Sequence, residues 1–171
     1  MRGTVKIGGT EVDMLANGAS PFIYKRIFHK DFFTAIGKPD AVDIDTITEM
    51  GFVMHMQTVK TFKEILDTVK IDDFYEWVTQ FEALDLPMAT NQIMALYYDQ
   101  QRTTVRPKKK IEKTERPFTT ALYILRASEA GINISDLDFF ELGDIMDILV
   151  EHGNDGEKYD RIMTQEEMDK F

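Results

Sequence analysis

Glu141, Asp144, Asp147 and Glu151 recur at intervals of three, three and four residues, which sets four carboxylates along one side of a helix. Such a row could hold a divalent cation, or share acid and base roles between paired carboxylates. Nothing else in the chain completes either arrangement. A calcium loop begun at Asp136 needs glycine at its sixth position, where Glu141 stands. His29, His55 and His152 form no HxxxH or HExxH pair. There is no cysteine and no GxSxG, and Gly8-Gly9 is not followed by the Gly-Lys-Ser/Thr of a phosphate loop. The chain is therefore expected to be no enzyme, with no catalytic residue, cofactor or metal. The acidic row reads as a solvated helix face or as a docking surface for a basic partner.

Aromatic residues form the second group. Phe22, Tyr24, Phe28, Phe32 and Phe33 surround most of one helix rather than one stripe of it. A helix apolar on several sides is either deeply buried or meets another protein. Tyr97-Tyr98 and ten methionines fit the same alternatives, because methionine suits both irregular cores and adaptable surfaces.

The third group is basic. Arg106–Pro117, RPKKKIEKTERP, holds six basic and two acidic residues in a chain of net charge −10. Residues 1–105 carry 10 Lys/Arg against 15 Asp/Glu, and residues 117–171 carry 4 against 13. The strip thus divides two acidic parts, whose field repels phosphate backbones, so nucleic acid is not expected as a partner. With a proline near each end, the strip reads as a solvated hinge.

These groups need elements to place them. TVKIGGTEVDML alternates apolar and polar residues around Gly8-Gly9, the pattern of a tight β-hairpin. Ser20-Pro21 opens a helix expected to run through Ile36 and stop at Gly37, with Pro39 beyond. Asp43 or Asp45 caps a second helix, and FKEILDTV continues it or forms a separate turn. Asp72 is expected to cap a helix carrying Phe74, Trp77, Val78 and Phe81, after which Pro87 breaks the chain. A further helix through NQIMALYYDQQ leads into the basic strip. Beyond Pro117, an apolar stripe of Phe118, Ala121, Leu122 and Leu125 marks a helix ended by Gly131. Ser135 and Asp138 resemble a capping box, and Leu142, Ile145, Met146 and Leu149 give the next helix its apolar face, with Gly153 closing it. Thr164 and Glu167 resemble another box in a stretch too poor in apolar residues for a core. The fold expected is mainly α (α+β): a hairpin with about four helices over 1–104, a flexible basic linker over 105–117, and a small helical unit over 118–171 with a mobile tail from 154.

An apolar fraction of 43% and 171 residues suit one ordinary domain or two small ones. No window is apolar enough for a membrane span, and no apolar run follows Arg2 as in a signal peptide. A cytoplasmic location is the simplest expectation.

Arg126, Gly131-Ile132, Ser135–Asp138, Gly143–Leu149, Asn154-Asp155 and Thr164–Phe171 follow one another in an order that resembles the C-terminal domain of the tail assembly chaperones of long-tailed bacteriophages. The N-terminal hairpin, the aromatic helix after Ser-Pro and the FYEWVTQF segment are similar to the same family in order and length. The resemblance implies a chaperone that keeps the tape measure protein soluble and recruits tail tube subunits. It implies release before the mature virion, host cytoplasm as the location, and the short form of the chain as a further partner. It also implies a long form made by programmed ribosomal frameshifting, with Lys108, Lys109 and Lys110 at the junction. Within it, Phe22, Tyr24, Phe28, Phe32, Trp77 and Tyr97 are the candidates for tape measure contact. Glu141, Asp144, Asp147 and Glu151 are those for the tube protein. A helical adaptor with no phage role is the alternative.

Overall fold

The computed structural model describes residues 1–37, 43–108 and 116–155. The protein is mainly helical, with a two-stranded antiparallel hairpin followed by α-helices. Strands β1 (Arg2–Ile7) and β2 (Thr10–Leu15) pair in the register Arg2 to Leu15 and Ile7 to Thr10. Gly8 takes φ of 58° in the turn between them, a conformation costly for any residue with a Cβ. The alternation seen in sequence becomes two faces. Val5, Ile7, Val12 and Met14 are buried, while Thr4, Lys6, Glu11 and Asp13 are exposed. Two strands cannot hold themselves together in water, and here β1 lies on helix α6 (Asp85–Asp99) and β2 on helix α3 (Ile44–Val59).

Helix α1 (Ser20–Phe28) carries Pro21 in its first turn, where the missing N–H is not needed. It stops eight residues short of the expected end. His29 adopts φ of 55° and gives its backbone N–H to the Lys25 carbonyl, closing the helix without a glycine. Asp31 then opens a separate short helix, α2 (Phe32–Ile36), by accepting from the Thr34 N–H. The expected continuous helix is thus two. Pro39 lies outside the described residues.

Of the two candidate caps for α3 (Ile44–Val59), Asp43 is the one used, accepting from the Thr46 N–H at 2.6 Å. Helix α3 is the central element, with Met50, Phe52, Val53 and Met54 fully buried against the hairpin, α1 and α6. FKEILDT forms its own helix, α4 (Phe62–Thr68), behind a reciprocal Thr61–Glu64 capping box. Helix α5 (Ile71–Val78) begins one residue before the expected Asp72 cap, and Asp73 takes the Lys70 N–H at 2.7 Å instead. Pro87 does not break the chain. It sits in the first turn of α6 (Asp85–Asp99), where no intrahelical N–H bond is lost.

In the C-terminal part, α7 (Thr120–Glu129) turns Thr120, Tyr123 and Ala127 inward, not the expected stripe. Ala121 and Leu125 face out, because the Tyr123 hydroxyl donates to the Gly18 carbonyl at 2.9 Å and fixes the helix about its axis, while Phe118, ahead of the helix, packs on Phe33 with ring centroids 4.8 Å apart. A 3₁₀ turn (Ile134–Phe139) follows, then α8 (Leu142–Asn154). The expected Ser135–Asp138 box does not form. Asp136 binds Asn133 and Ser135, while Glu141 precedes α8 and gives its N–H to Asp144. Leu142 and Ile145 are buried as expected of that face. The Thr164–Glu167 box and the tail beyond Asp155 lie outside the described residues.

One buried cluster spans both parts of the chain, joining Tyr123, Ala127, Leu137, Leu142 and Ile145 to the hairpin and α1–α6. Its aromatic members meet edge to face, with ring centroids 5.1 Å apart for Tyr24 and Phe32, and 4.9 Å for Phe32 and Tyr97. Phe52 joins Phe28, Phe74 and Trp77. Phe52→Ala removes that hub, and urea denaturation followed by Trp77 fluorescence is expected to show a loss of about 3–5 kcal/mol.

Candidate functional site

The acidic row of α8 is occupied by the protein itself. Asp147 accepts from the Thr104 N–H (2.8 Å), the Thr104 hydroxyl (2.6 Å) and the Val105 N–H (3.1 Å). Asp144 takes the Glu141 N–H at 3.0 Å, and Glu141 lies 3.1 Å from the amino group of Met1. Glu151 accepts from the Asn154 amide at 3.3 Å. Asn154 in turn takes the Lys108 N–H and gives its own amide hydrogen to the Arg106 carbonyl. Asp147 and, beside the row, Asn154 therefore hold residues 104–108 along α8, and the other acids of the row have partners inside the molecule. Lys109 and Lys110 lie outside the described residues.

The amino end of α8 completes this attachment. The first N–H groups of a helix have no partner within it, and here the Gly143 N–H reaches the Gln100 carbonyl at 2.8 Å and the Leu142 N–H the Gln100 side chain at 3.3 Å. Residue 143 must be glycine for so close an approach, since a Cβ there would strike the Arg102 and Gln100 carbonyls. A second attachment lies at Asp31, whose two oxygens accept from the Thr120 N–H at 3.2 and 3.0 Å. A third joins Asn17 to the Asp138 carbonyl and the Gly18 N–H to the Phe140 carbonyl.

Two of these carboxylates are held below the usual carboxylate range. For Asp147 the cause is first the Thr104 hydroxyl, then the Thr104 and Val105 N–H groups. At Asp31 burial alone would push upward, but Lys25 and the N–H groups of Thr120 and Thr34 outweigh it.

The aromatic candidates fall mostly in the core. Tyr24, Phe32 and Tyr97 have no exposed surface, and Phe28 and Trp77 have almost none. Phe22, half-buried against Phe62, keeps some exposed surface. The first five pack the fold in this conformation and offer a partner little. Burial, then Glu49, pushes the Tyr24 phenol far above its ordinary value. Glu49, itself buried, accepts from Tyr24 and from Lys30, each at 2.6 Å, and its bond raises the Lys30 ammonium. A firmly protonated phenol and a carboxylate with both oxygens engaged make a brace, not an acid–base pair.

The histidines are dispersed: His29 ends α1, His55 stacks on Trp77 and meets the Asp13 carbonyl, and His152 faces Asp155 on the surface. Among the described residues no group of three metal-ligating side chains comes together, and no helix is long and apolar enough to cross a membrane.

Surface apolar residues are what sequence reasoning missed. Ile44, Tyr75, Leu84 and Met88 are at least half exposed, the last at 79%, and Phe139 in the 3₁₀ turn stands 80% exposed. The signal was available for Ile44, Leu84, Met88 and Phe139, which lie at or near a helix start or in a connection, where a core contact is hard to make, whereas Tyr75 lies mid-helix on the outer side of α5. Comparison with models of known families, with curated proteins and with solved structures finds no match to this chain.

Asp31 and Asp147 set a pH dependence for the attachment of the C-terminal part. Both bind protons less readily folded than unfolded, so their contribution is present above the ordinary carboxylate range and is lost as pH falls through their lowered values. Amide NMR shifts of Thr104, Val105 and Thr120 should titrate below the usual carboxylate range. In Asp147→Asn the Thr104 and Val105 steps should vanish while the Thr120 step remains.

Proposed function

We propose that this protein is a protein-binding chaperone of phage tail assembly, holding a tape measure protein in solution and bringing tail tube subunits to it. The observation that carries the binding part is the set of large apolar side chains standing in solvent on the helical N-terminal part, Ile44, Tyr75, Leu84 and Met88. Apolar surface of this kind favours contact with another apolar protein. The phage part rests on the resemblance of the C-terminal sequence. Of the residues that carry it, Gly143, Asp147 and Asn154 are those that fasten α8 to residues 100–108, so the resembling pattern has a structural job that a shared fold would retain.

In this reading contact with the tape measure protein falls to exposed side chains, with Phe22 the member of the earlier aromatic set open to join them. The acids of α8 contribute to recruitment of the tube protein through lone pairs left over from their internal bonds, giving weak and exchangeable contacts. No covalent step is involved, and the chaperone leaves before the virion is complete.

Co-expression tests this directly. The tape measure protein of the same phage should move from the pellet to the soluble fraction when this chain is present, and should be captured with it. A tape measure protein that stays insoluble in both cases would refute the proposal. The gene supplies a separate check on the long-form reading, which requires two overlapping frames meeting near codons 108–110.

A further inference from the structure

Helices α3, α5 and α6 leave a groove between them of about 290 Å³. Its floor is apolar, built from Phe74, Val78, Phe81, Leu86 and Pro87. That volume is at the lower limit for a small-molecule site and suits one or two aliphatic side chains inserted from outside. Tyr75 and Ile44 stand 57% and 50% exposed at its edge, so the apolar surface continues out of the groove.

The charged residues lining it are both acids, Asp45 and Glu82. Asp72, Asp73 and Glu76 of α5 do not line the groove but add to the negative charge of the same helix. Among the described residues, Lys30 is a cation whose field reaches Asp43 and Asp45, but its ammonium is engaged by Glu49. Lys70 lies at the far, amino end of α5 and does not line the groove. An apolar floor within an acidic rim complements a ligand that is apolar in the centre and basic at its margins. The walls are helices, with no strand edge to extend, which favours a helix laid across the groove over an added strand.

We infer that this groove is a docking site for an amphipathic helical segment of a partner protein, with aliphatic residues at i, i+3 and i+4 flanked by Lys or Arg. The inference deepens the chaperone reading, and rests on it only in taking the partner to be a protein. The two fail separately, because the peptide experiment below needs no tape measure protein.

The full chain is titrated into a fluorescein-labelled helical peptide with leucines at i, i+3, i+4 and i+7 and lysines on both flanks, and into its twin with glutamates in place of the lysines. Anisotropy should show the lysine peptide binding about tenfold tighter or more, with the preference shrinking as salt rises. Tyr75→Lys and Ile44→Lys alter exposed positions, and unchanged far-UV circular dichroism will show that both variants are folded. Each should weaken the lysine peptide about tenfold. Phe139→Lys makes the same charge change in the 3₁₀ turn and should leave binding unchanged. Equal binding of the two peptides, an equal loss in Phe139→Lys, indifference to the groove variants, or no binding of the lysine peptide would each overturn the inference.

Discussion

Gln100 fixes where α8 begins, and with it the place of the described C-terminal part, residues 116–155. It is wholly buried at the end of α6, and its carbonyl and side-chain oxygens receive the first two N–H groups of α8. A helix start in an apolar setting without acceptors would cost the desolvation of those groups, so α8 begins where Gln100 can satisfy them. From that point the chain leaving α6 runs along α8, held by Asp147 and then by Asn154. Gly143 permits the approach, and Leu142 and Ile145 carry α8 into the common core. Remove Gln100 from this role and the bonds at Thr104, Val105 and Lys108 lose the register that aligns them.

The same economy governs the charges. A row of acids in an acidic protein invites a functional reading, yet the members on α8 mainly accept hydrogen bonds that the backbone would otherwise lack. What is left exposed among the described residues is a set of apolar side chains, Ile44, Tyr75, Leu84, Met88 and Phe139, with Asp45 and Glu82 lining the groove of α3, α5 and α6. In the chaperone reading proposed above such surfaces would suit binding followed by release, because exposed apolar contacts supply attraction and rim charges set speed and selectivity.

Much of the fold is legible in the residues. Strict alternation around Gly8-Gly9 gives the hairpin, and Asp43, Thr61 and Ser20-Pro21 mark helix starts through local hydrogen bonding or fixed φ, which need no tertiary information. The break at His29 was hidden because a histidine fills the left-handed position glycine usually takes; the Asp31–Thr34 spacing was its available signal. The rotation of α7 was hidden for a different reason. Periodicity weighs Leu125 above Tyr123, whereas the buried hydroxyl of Tyr123 finds a carbonyl from residue 18, a partner no local pattern reveals. The candidate contacts suffered likewise: aromatic residues around a helix fit burial and binding equally well, and only packing showed Tyr24, Phe32 and Tyr97 in the core.

If the C-terminal part takes its place through Gln100 and shares the core of α1–α6, the two parts should unfold together. Urea denaturation followed by amide NMR signals of Val53 and Ile93 on one side and of Tyr123 and Ile145 on the other tests this. Coincident midpoints are predicted. A C-terminal set that melts first, in a separate transition that leaves the Val53 and Ile93 signals unchanged, would contradict the account.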